Sequence, residues 1–218
     1  MTELLAVVVL GPEDPADPTA PAALRMLGGV SLADRAVHLL NRALPGSQVI
    51  TSVLERALAD LMDPAETHVV LLHDPTYPFL PAGALRAVCA AVDPIAGDQV
   101  AAVAVTDVTD TLKRVDDAGR VLATEDRHSY RAPVGLLAVT PAVLGAVLSS
   151  AWREGAGPRG LSDLVDLVAA LDRVVGVGRL ELPGLGSSAC RVVDEDSLAY
   201  AEAVLAASTR SATATSSG

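Results

Sequence analysis

Four groups of residues in this 218-residue chain have types and spacings suited to chemistry. The first is Asp74, within His68-Val69-Val70-Leu71-Leu72-His73-Asp74-Pro75-Thr76-Tyr77-Pro78. The apolar run Val69–Leu72 predicts a strand buried on both faces, and it stops abruptly in His-Asp-Pro. Ligands of open α/β sheets bind at the carboxyl ends of strands, so a carboxylate at that stop is well placed for chemistry. An aspartate before proline also starts a turn or caps a following helix, and Asp74 alone does not choose between these roles. The second group is Asp110-Thr111-Leu112-Lys113-Arg114, the third Thr124-Glu125-Asp126-Arg127, and the fourth Arg191. Hydroxyls beside cations suit phosphate, which guanidinium groups match bidentately. The same charges also suit a solvated face, or ion pairs with Glu125 and Asp126.

The elements that must carry these residues alternate between strand and helix. Leu4–Leu10 predicts a first buried strand running into Gly11 and a proline-rich acidic loop to Pro21. Gly28-Gly29 predicts a turn, and Ser31 an N-cap for a helix through Ala43 with Leu32, Ala36, Leu39 and Leu40 on one face. Gln48–Thr51 predicts a short strand, and Ser52 opens a helix to about Met62. Pro81 starts a helix carrying Leu85, Val88, Cys89 and Val92, and Val100–Thr106 reads as another strand.

Asp107–Lys113 and Arg114–Thr124 read as extended, with Asp117-Ala118-Gly119 as a hairpin turn. That hairpin interrupts the βα rhythm and predicts an arm, about residues 107–132, projecting from the sheet. Leu136–Val139 follows as a strand, Pro141–Ser150 as a helix and Gly155–Gly160 as a loop. Ser162 is expected to cap a helix through Leu171, with Val174–Leu182 and Cys190–Val193 as the last strands. Asp194–Ala207 forms the final helix, and Ser208–Gly218 a disordered tail. The order of elements predicts a layered α/β fold in one domain, residues 1–207.

Composition narrows the function. A net charge of −11 argues against a nucleic-acid partner, because neutralising phosphates needs clustered Lys and Arg. Lys113 is the only lysine; the other fifteen basic residues are arginines. Two cysteines without CxxC spacing make neither a metal site nor a disulfide framework, which favours a reducing cytoplasm. Leu4–Leu10 is too short for a signal-peptide core or a membrane span, so no membrane partner is expected.

Taken in order, the groups resemble one family, the 2-C-methyl-D-erythritol 4-phosphate cytidylyltransferases. The most specific pieces are VVLLHDPTYP against the family's V-x-V-H-D-A-A-R-P, and VTDTLKRV against its V-x-D-T-[LM]-K-x-V. The resemblance runs from about Leu4 to Leu205. It implies a three-layer, Rossmann-like nucleotidyltransferase fold with a mixed, mostly parallel sheet and a projecting β-arm. It also implies a homodimer through the arm and the joining of CTP to a sugar phosphate with Mg2+ and release of pyrophosphate. By position, Asp74 is then catalytic, contacting the sugar substrate and the metal, and Arg191 falls where the family has its C-terminal catalytic lysine. Gly11 is what remains of the first loop, and Ser52 lies near the cytidine. Thr111, Lys113 and Arg127 belong to the substrate-binding arm, Thr111 and Arg127 reaching the sugar phosphate across the dimer.

The departures are concentrated on the triphosphate side. The family's first loop is G-x-G-x-R, followed later by P-K, whose N–H groups and cations cradle the phosphates. Here Pro21–Gly29 aligns with P-K-x-x-x-x-L-G-G and puts Ala22 in the place of the lysine. Glu13 and Pro15 fall at the second glycine and the arginine, and Glu13, Asp14 and Asp17 would repel a triphosphate. Tyr77 stands in place of the arginine of H-D-A-A-R-P. Each lost donor is worth ~3–4 kcal/mol in the transition state. These losses imply a divergent paralogue that keeps a sugar-phosphate pocket and has weak or no catalysis. Two alternatives are an active transferase using Arg25 and Arg191 in a rearranged loop, and a non-catalytic dimerisation or regulatory subunit.

Overall fold

The computed structural model describes residues 4–11, 13–14, 17–54, 56, 69–92, 100–116, 118–153, 163–182 and 185–215. Six strands form the central sheet in the order β12-β8-β11-β7-β1-β6. These are β1 (Leu4–Leu10), β6 (Gln48–Val53), β7 (Val69–His73), β8 (Ala101–Asp107), β11 (Arg131–Val139) and β12 (Gly178–Glu181). β1 is parallel to β6 and β7, β12 is parallel to β8, and β11 is antiparallel to both its neighbours. The sheet is therefore mixed and mostly parallel, as expected.

Alternation along each strand builds two cores. Leu5, Val7 and Val9 of β1 and Val70 and Leu72 of β7 face one side, against Leu144 and Val147 of α3 (Pro141–Arg153) and Leu164, Leu167 and Leu171 of α4 (Leu164–Val174). Ala6, Val8 and Leu71 face the other, against Ala36 and Leu40 of α1 (Leu32–Ala43) and Leu85 and Val88 of α2 (Ala82–Ala90). Both faces of the strands are buried, which is why β1 and β7 read as continuous apolar runs. Helices on both faces make three layers.

Local chemistry sets most boundaries. Ser31 caps α1 by accepting from the Asp34 N–H at 3.0 Å. Just before it, β4 (Met26–Leu27) and β5 (Val30–Ser31) are joined through Gly28 and Gly29, both with positive φ, as a two-residue turn of the mirror-image type requires. β9 (Leu112–Val115) and β10 (Val121–Glu125) form the expected arm as an antiparallel hairpin. Its base is pinned by Arg131, whose Nε lies 3.1 Å from Glu181 and 3.6 Å from Asp107.

Several expectations are corrected. Ser52 does not open a helix; it lies in β6 opposite Val9, and the helical turn begins at Leu54. The acidic loop contains a short hairpin of β2 (Glu13–Asp14) and β3 (Asp17–Pro21). The residue capping α4 is Asp163, whose Oδ1 accepts from the Val165 and Asp166 N–H groups. α4 also runs through Val174, so the following strand starts only at Gly178. Cys190–Val193 is not a strand: among the described residues its one backbone–backbone bond toward the sheet edge runs from the Val192 N–H to the Thr76 carbonyl at 2.7 Å.

The final helix, α5, spans Glu195–Thr215 rather than ending at Ala207. Ser208 and Thr209 donate to the Val204 and Leu205 carbonyls four residues back within this helix. His68, Asp117, Ser162, the loop 155–160 and the helix expected over 57–62 lie outside the described residues.

Candidate functional site

The parallel register of β6, β1 and β7 brings three of the expected site residues to one sheet edge. Ser52 is opposite Val9, His73 is opposite Val8, and Gly11 and Asp74 each follow the last residue of their strands. Asp74 is fixed from several directions. Its N–H donates to the Gly135 carbonyl at 2.9 Å. Its Oδ1 accepts from the Thr76 N–H at 2.9 Å and from the Thr76 hydroxyl at 2.6 Å, the turn expected of aspartate before proline. Its side chain is 14% exposed, and Oδ2 lies 3.4 Å from Arg191 Nη2.

Arg191 comes from the far end of the chain. Besides Asp74 it meets the Thr76 hydroxyl, with Nε 3.3 Å from Oγ1, and its guanidinium carbon lies 5.8 Å from the centre of the Tyr77 ring. The Val192 N–H bond to the Thr76 carbonyl holds this segment alongside the turn. Asp74 and Arg191, both expected in the site, are thus brought together, and the turn supplies both of Arg191's oxygen partners.

A glycine makes room for the corner. β11 shifts register against β8 between Pro133 and Leu137, and Gly135 inside that irregularity has a φ of 68°. A Cβ there would fall on Tyr77 Cδ2, 2.9 Å from Cε2 and 3.1 Å from Asp74 Cβ. The Tyr77 hydroxyl donates to the Pro133 carbonyl at 3.2 Å, so the ring lies flat along the bulge. Burial pushes the Tyr77 phenol up; Arg191 opposes this, while Asp74 and Asp163 add to it. A shallow cleft runs from Asp74, Tyr77 and Arg191 past Gly135 to Asp163 at the start of α4.

His73 underlies the corner. It is fully buried, with Nδ1 3.3 Å from the Gly135 carbonyl and Nε2 without a partner. A carbonyl only accepts, so Nδ1 carries the proton in the neutral ring. Burial pushes the imidazole below its ordinary value, against the Gly135 carbonyl and Asp74, which favour the charged form.

The arm residues stand apart from this corner within one chain. Lys113 donates to the Thr124 hydroxyl, Arg127 Nη1 donates to the Thr109 carbonyl at 2.6 Å, and Thr111 is exposed. Among the described residues no hydrogen bond or ion pair joins any of the three to Asp74 or Arg191.

In the segment after the acidic loop, Ala22 opens a short 3-10 turn with Ala23 buried behind it; hydrogen bonds from Ser197 lower the Asp194 pKa, and Arg25 adds to this. The Gly28 N–H is taken by Glu202 Oε1 at 2.7 Å, and Arg35 binds the Leu27 carbonyl through Nε and Nη2. The backbone of this segment is thus committed to α1 and α5.

A resident Mg2+ does not fit the donor set. Among the described residues no three His, Cys, Asp or Glu side chains converge. Asp74 offers one carboxylate, with one oxygen accepting two hydrogen bonds and the other facing a guanidinium.

Thr76, Tyr77 and Gly135 were missed as parts of the site by reading the sequence. The one local signal was Gly135 inside an otherwise apolar strand, which marks a bulge or a close backbone approach.

Comparison with known proteins agrees with this geometry. The family model "2-C-methyl-D-erythritol 4-phosphate cytidylyltransferase" matches residues 30–207. The protein of that name from Frankia casuarinae is 29% identical over 215 residues, covering 85% of this chain and 74% of that one. The bifunctional enzyme IspD/IspF of Solidesulfovibrio magneticus is 34% identical over 132 residues, 58% of this chain and 28% of that protein's length. Among solved structures, the cytidylyltransferase of Thermus thermophilus superposes with a TM-score of 0.65 at 23% identity, covering 94% of this chain and 98% of that one. The 4-diphosphocytidyl-2C-methyl-D-erythritol synthase of Anaerococcus prevotii gives 0.68 at 15% identity, covering 94% and 96%. The chain belongs to the 2-C-methyl-D-erythritol 4-phosphate cytidylyltransferase family.

Proposed function

We propose that this chain is a sugar-phosphate-binding member of its family in which cytidylyl transfer is weak or lost. The observation that carries the reading is the contrast between the two halves of one sheet edge. At Asp74 a carboxylate, a hydroxyl and a guanidinium are held in one array by hydrogen bonds from three parts of the chain. Such an array suits the hydroxyls of a sugar, with Arg191 available to an anionic oxygen. In the segment 21–29 the position of the family's lysine is Ala22, and the Gly28 N–H, a donor a phosphate could use, is bonded to Glu202 of α5.

The arm enters the same reading. Thr111, Lys113 and Arg127 are exposed on the arm, which leaves Thr111 and Arg127 available to a sugar phosphate bound by a second copy; the functional form in this reading is a homodimer. Both cysteines are free thiols, and burial pushes Cys89 up to about 12, which suits a structural residue in a reducing cytoplasm. Among the described residues no helix is long and apolar enough to cross a membrane.

The test is pyrophosphate release from CTP and 2-C-methyl-D-erythritol 4-phosphate in the presence of Mg2+. Release many orders of magnitude below that of an intact family member, and unchanged by Asp74→Asn, is expected. Robust release that Asp74→Asn abolishes would instead establish an active transferase with a rearranged loop.

A further inference from the structure

Away from the Asp74 corner, one face of α1 carries Arg35, His38 and Arg42. Spacings of three and four residues put the three side chains in a single stripe. Opposite them runs Pro78–Ala82, the strap between Tyr77 and α2. Stripe and strap enclose an open groove of about 530 Å³ whose apolar lining includes Leu39 and Phe79, and among the described residues no carboxylate lines it. In a chain of net charge −11, three basic side chains converging without an acid are a local reversal of sign.

The stripe is held ready for an anion. Arg35, which lines the groove, is anchored on the Leu27 carbonyl through Nε and Nη2. His38 and Arg42 are exposed, and among the described residues neither forms an ion pair. The half-buried Leu39 of α1 and Phe79 of the strap line the same groove, offering an apolar surface beside the charge.

We infer that this groove is a second ligand site and takes an organic phosphate, separate from the Asp74 corner. The phosphate is received by the Arg35–His38–Arg42 stripe, and the organic body lies on Leu39 and Phe79. Guanidinium groups match phosphate oxygens bidentately, and the exclusion of carboxylates from the lining makes the groove selective for anions. The inference stands on α1 and the strap alone and does not depend on what the Asp74 corner binds.

The test follows backbone amide shifts of the isotope-labelled full chain during titration with phenyl phosphate at low salt, without nucleotide or Mg2+. Saturable shifts on residues 35–42 and on Phe79, Leu80 and Ala82 are expected. His38→Ala with Arg42→Ala, both at exposed positions, is expected to weaken binding about tenfold or more, while Arg191→Ala leaves it unchanged. Inorganic phosphate should bind several-fold more weakly than phenyl phosphate. Absence of saturation at about 10 mM would overturn the site. So would shifts confined to residues 74–77 and 191 that vanish in Arg191→Ala, or wild-type binding by the double variant. Equal binding of the two phosphates would overturn the role of Leu39 and Phe79.

Discussion

Arg191 Nη2 lies 3.4 Å from Asp74 Oδ2, across 117 positions of sequence. The contact ties the end of β7 to the segment before α5, at the position where the family resemblance implies a lysine. A lysine is a point charge that can leave a carboxylate for a phosphate, whereas the arginine fork also holds the Thr76 hydroxyl and lies over Tyr77. The ion pair is partly exposed, so its net worth is modest; what it sets is the direction in which Asp74 and Arg191 face the cleft.

Gly135 is the position on which that arrangement is most exposed to change. Gly135→Ala forces a side chain into a left-handed backbone and against the Tyr77 ring. A loss of about 2–4 kcal/mol in stability is expected from denaturant unfolding. Tyr77→Ala in the same background should recover part of it by removing the clash. A Gly135→Ala protein as stable as wild type would refute the close approach.

His73 gives the fold a pH dependence of known sign. Its folded pKa is lowered from 6.5 by burial, so the unfolded chain binds the proton more readily. The stability it contributes is fully present above that value and is lost as pH falls below it, with a slope of at most ~1.4 kcal/mol per pH unit. His73→Phe removes the titration, and its stability curve should fall less steeply than wild type between about pH 7 and pH 5. Parallel curves would contradict the buried neutral imidazole.

Removing metal should leave the isolated protein unchanged. The single carboxylate of Asp74, already paired with Arg191, gives Mg2+ too few ligands. Thermal unfolding in millimolar Mg2+ and in EDTA is expected to give the same midpoint within ~1 °C, since a ligand stabilises only in proportion to its binding. A clear rise with Mg2+ alone would show a metal site at this corner.

The arm should carry the dimer. Val115, Val121 and Leu122 on β9 and β10 are 53%, 63% and 60% exposed, a cluster that a partner would cover. Sedimentation is expected to show a dimer, and Val121→Asp with Leu122→Asp a folded monomer of unchanged circular dichroism. A wild-type monomer would remove the arm from the account.

The sheet and the Asp74 corner were legible to different degrees, for physical reasons. β1 and β7 are buried on both faces, so their apolar runs survive in any context, and Ser31 caps α1 through a bond only three residues long. The arm was legible from its turn and alternation. Asp163 and Ser162 are both good capping residues, and nothing local chooses between them. Cys190–Val193 has the residues of a strand, yet β12 already occupies the sheet edge beside β8, leaving the segment one backbone–backbone bond to Thr76. The packing of Tyr77 on Gly135 joins the turn after β7 to the bulge in β11 and leaves no periodic trace in either. The family resemblance placed Asp74 and Arg191, but their mutual contact and the turn that orients them required the fold.

The most direct measurement is a pair of calorimetric titrations of the full chain, one with 2-C-methyl-D-erythritol 4-phosphate and one with CTP in the presence of Mg2+. Binding of the sugar phosphate at about 100 µM or tighter, with CTP–Mg2+ weaker than about 1 mM, is the predicted result. Micromolar binding of CTP–Mg2+ without detectable binding of the sugar phosphate would contradict it.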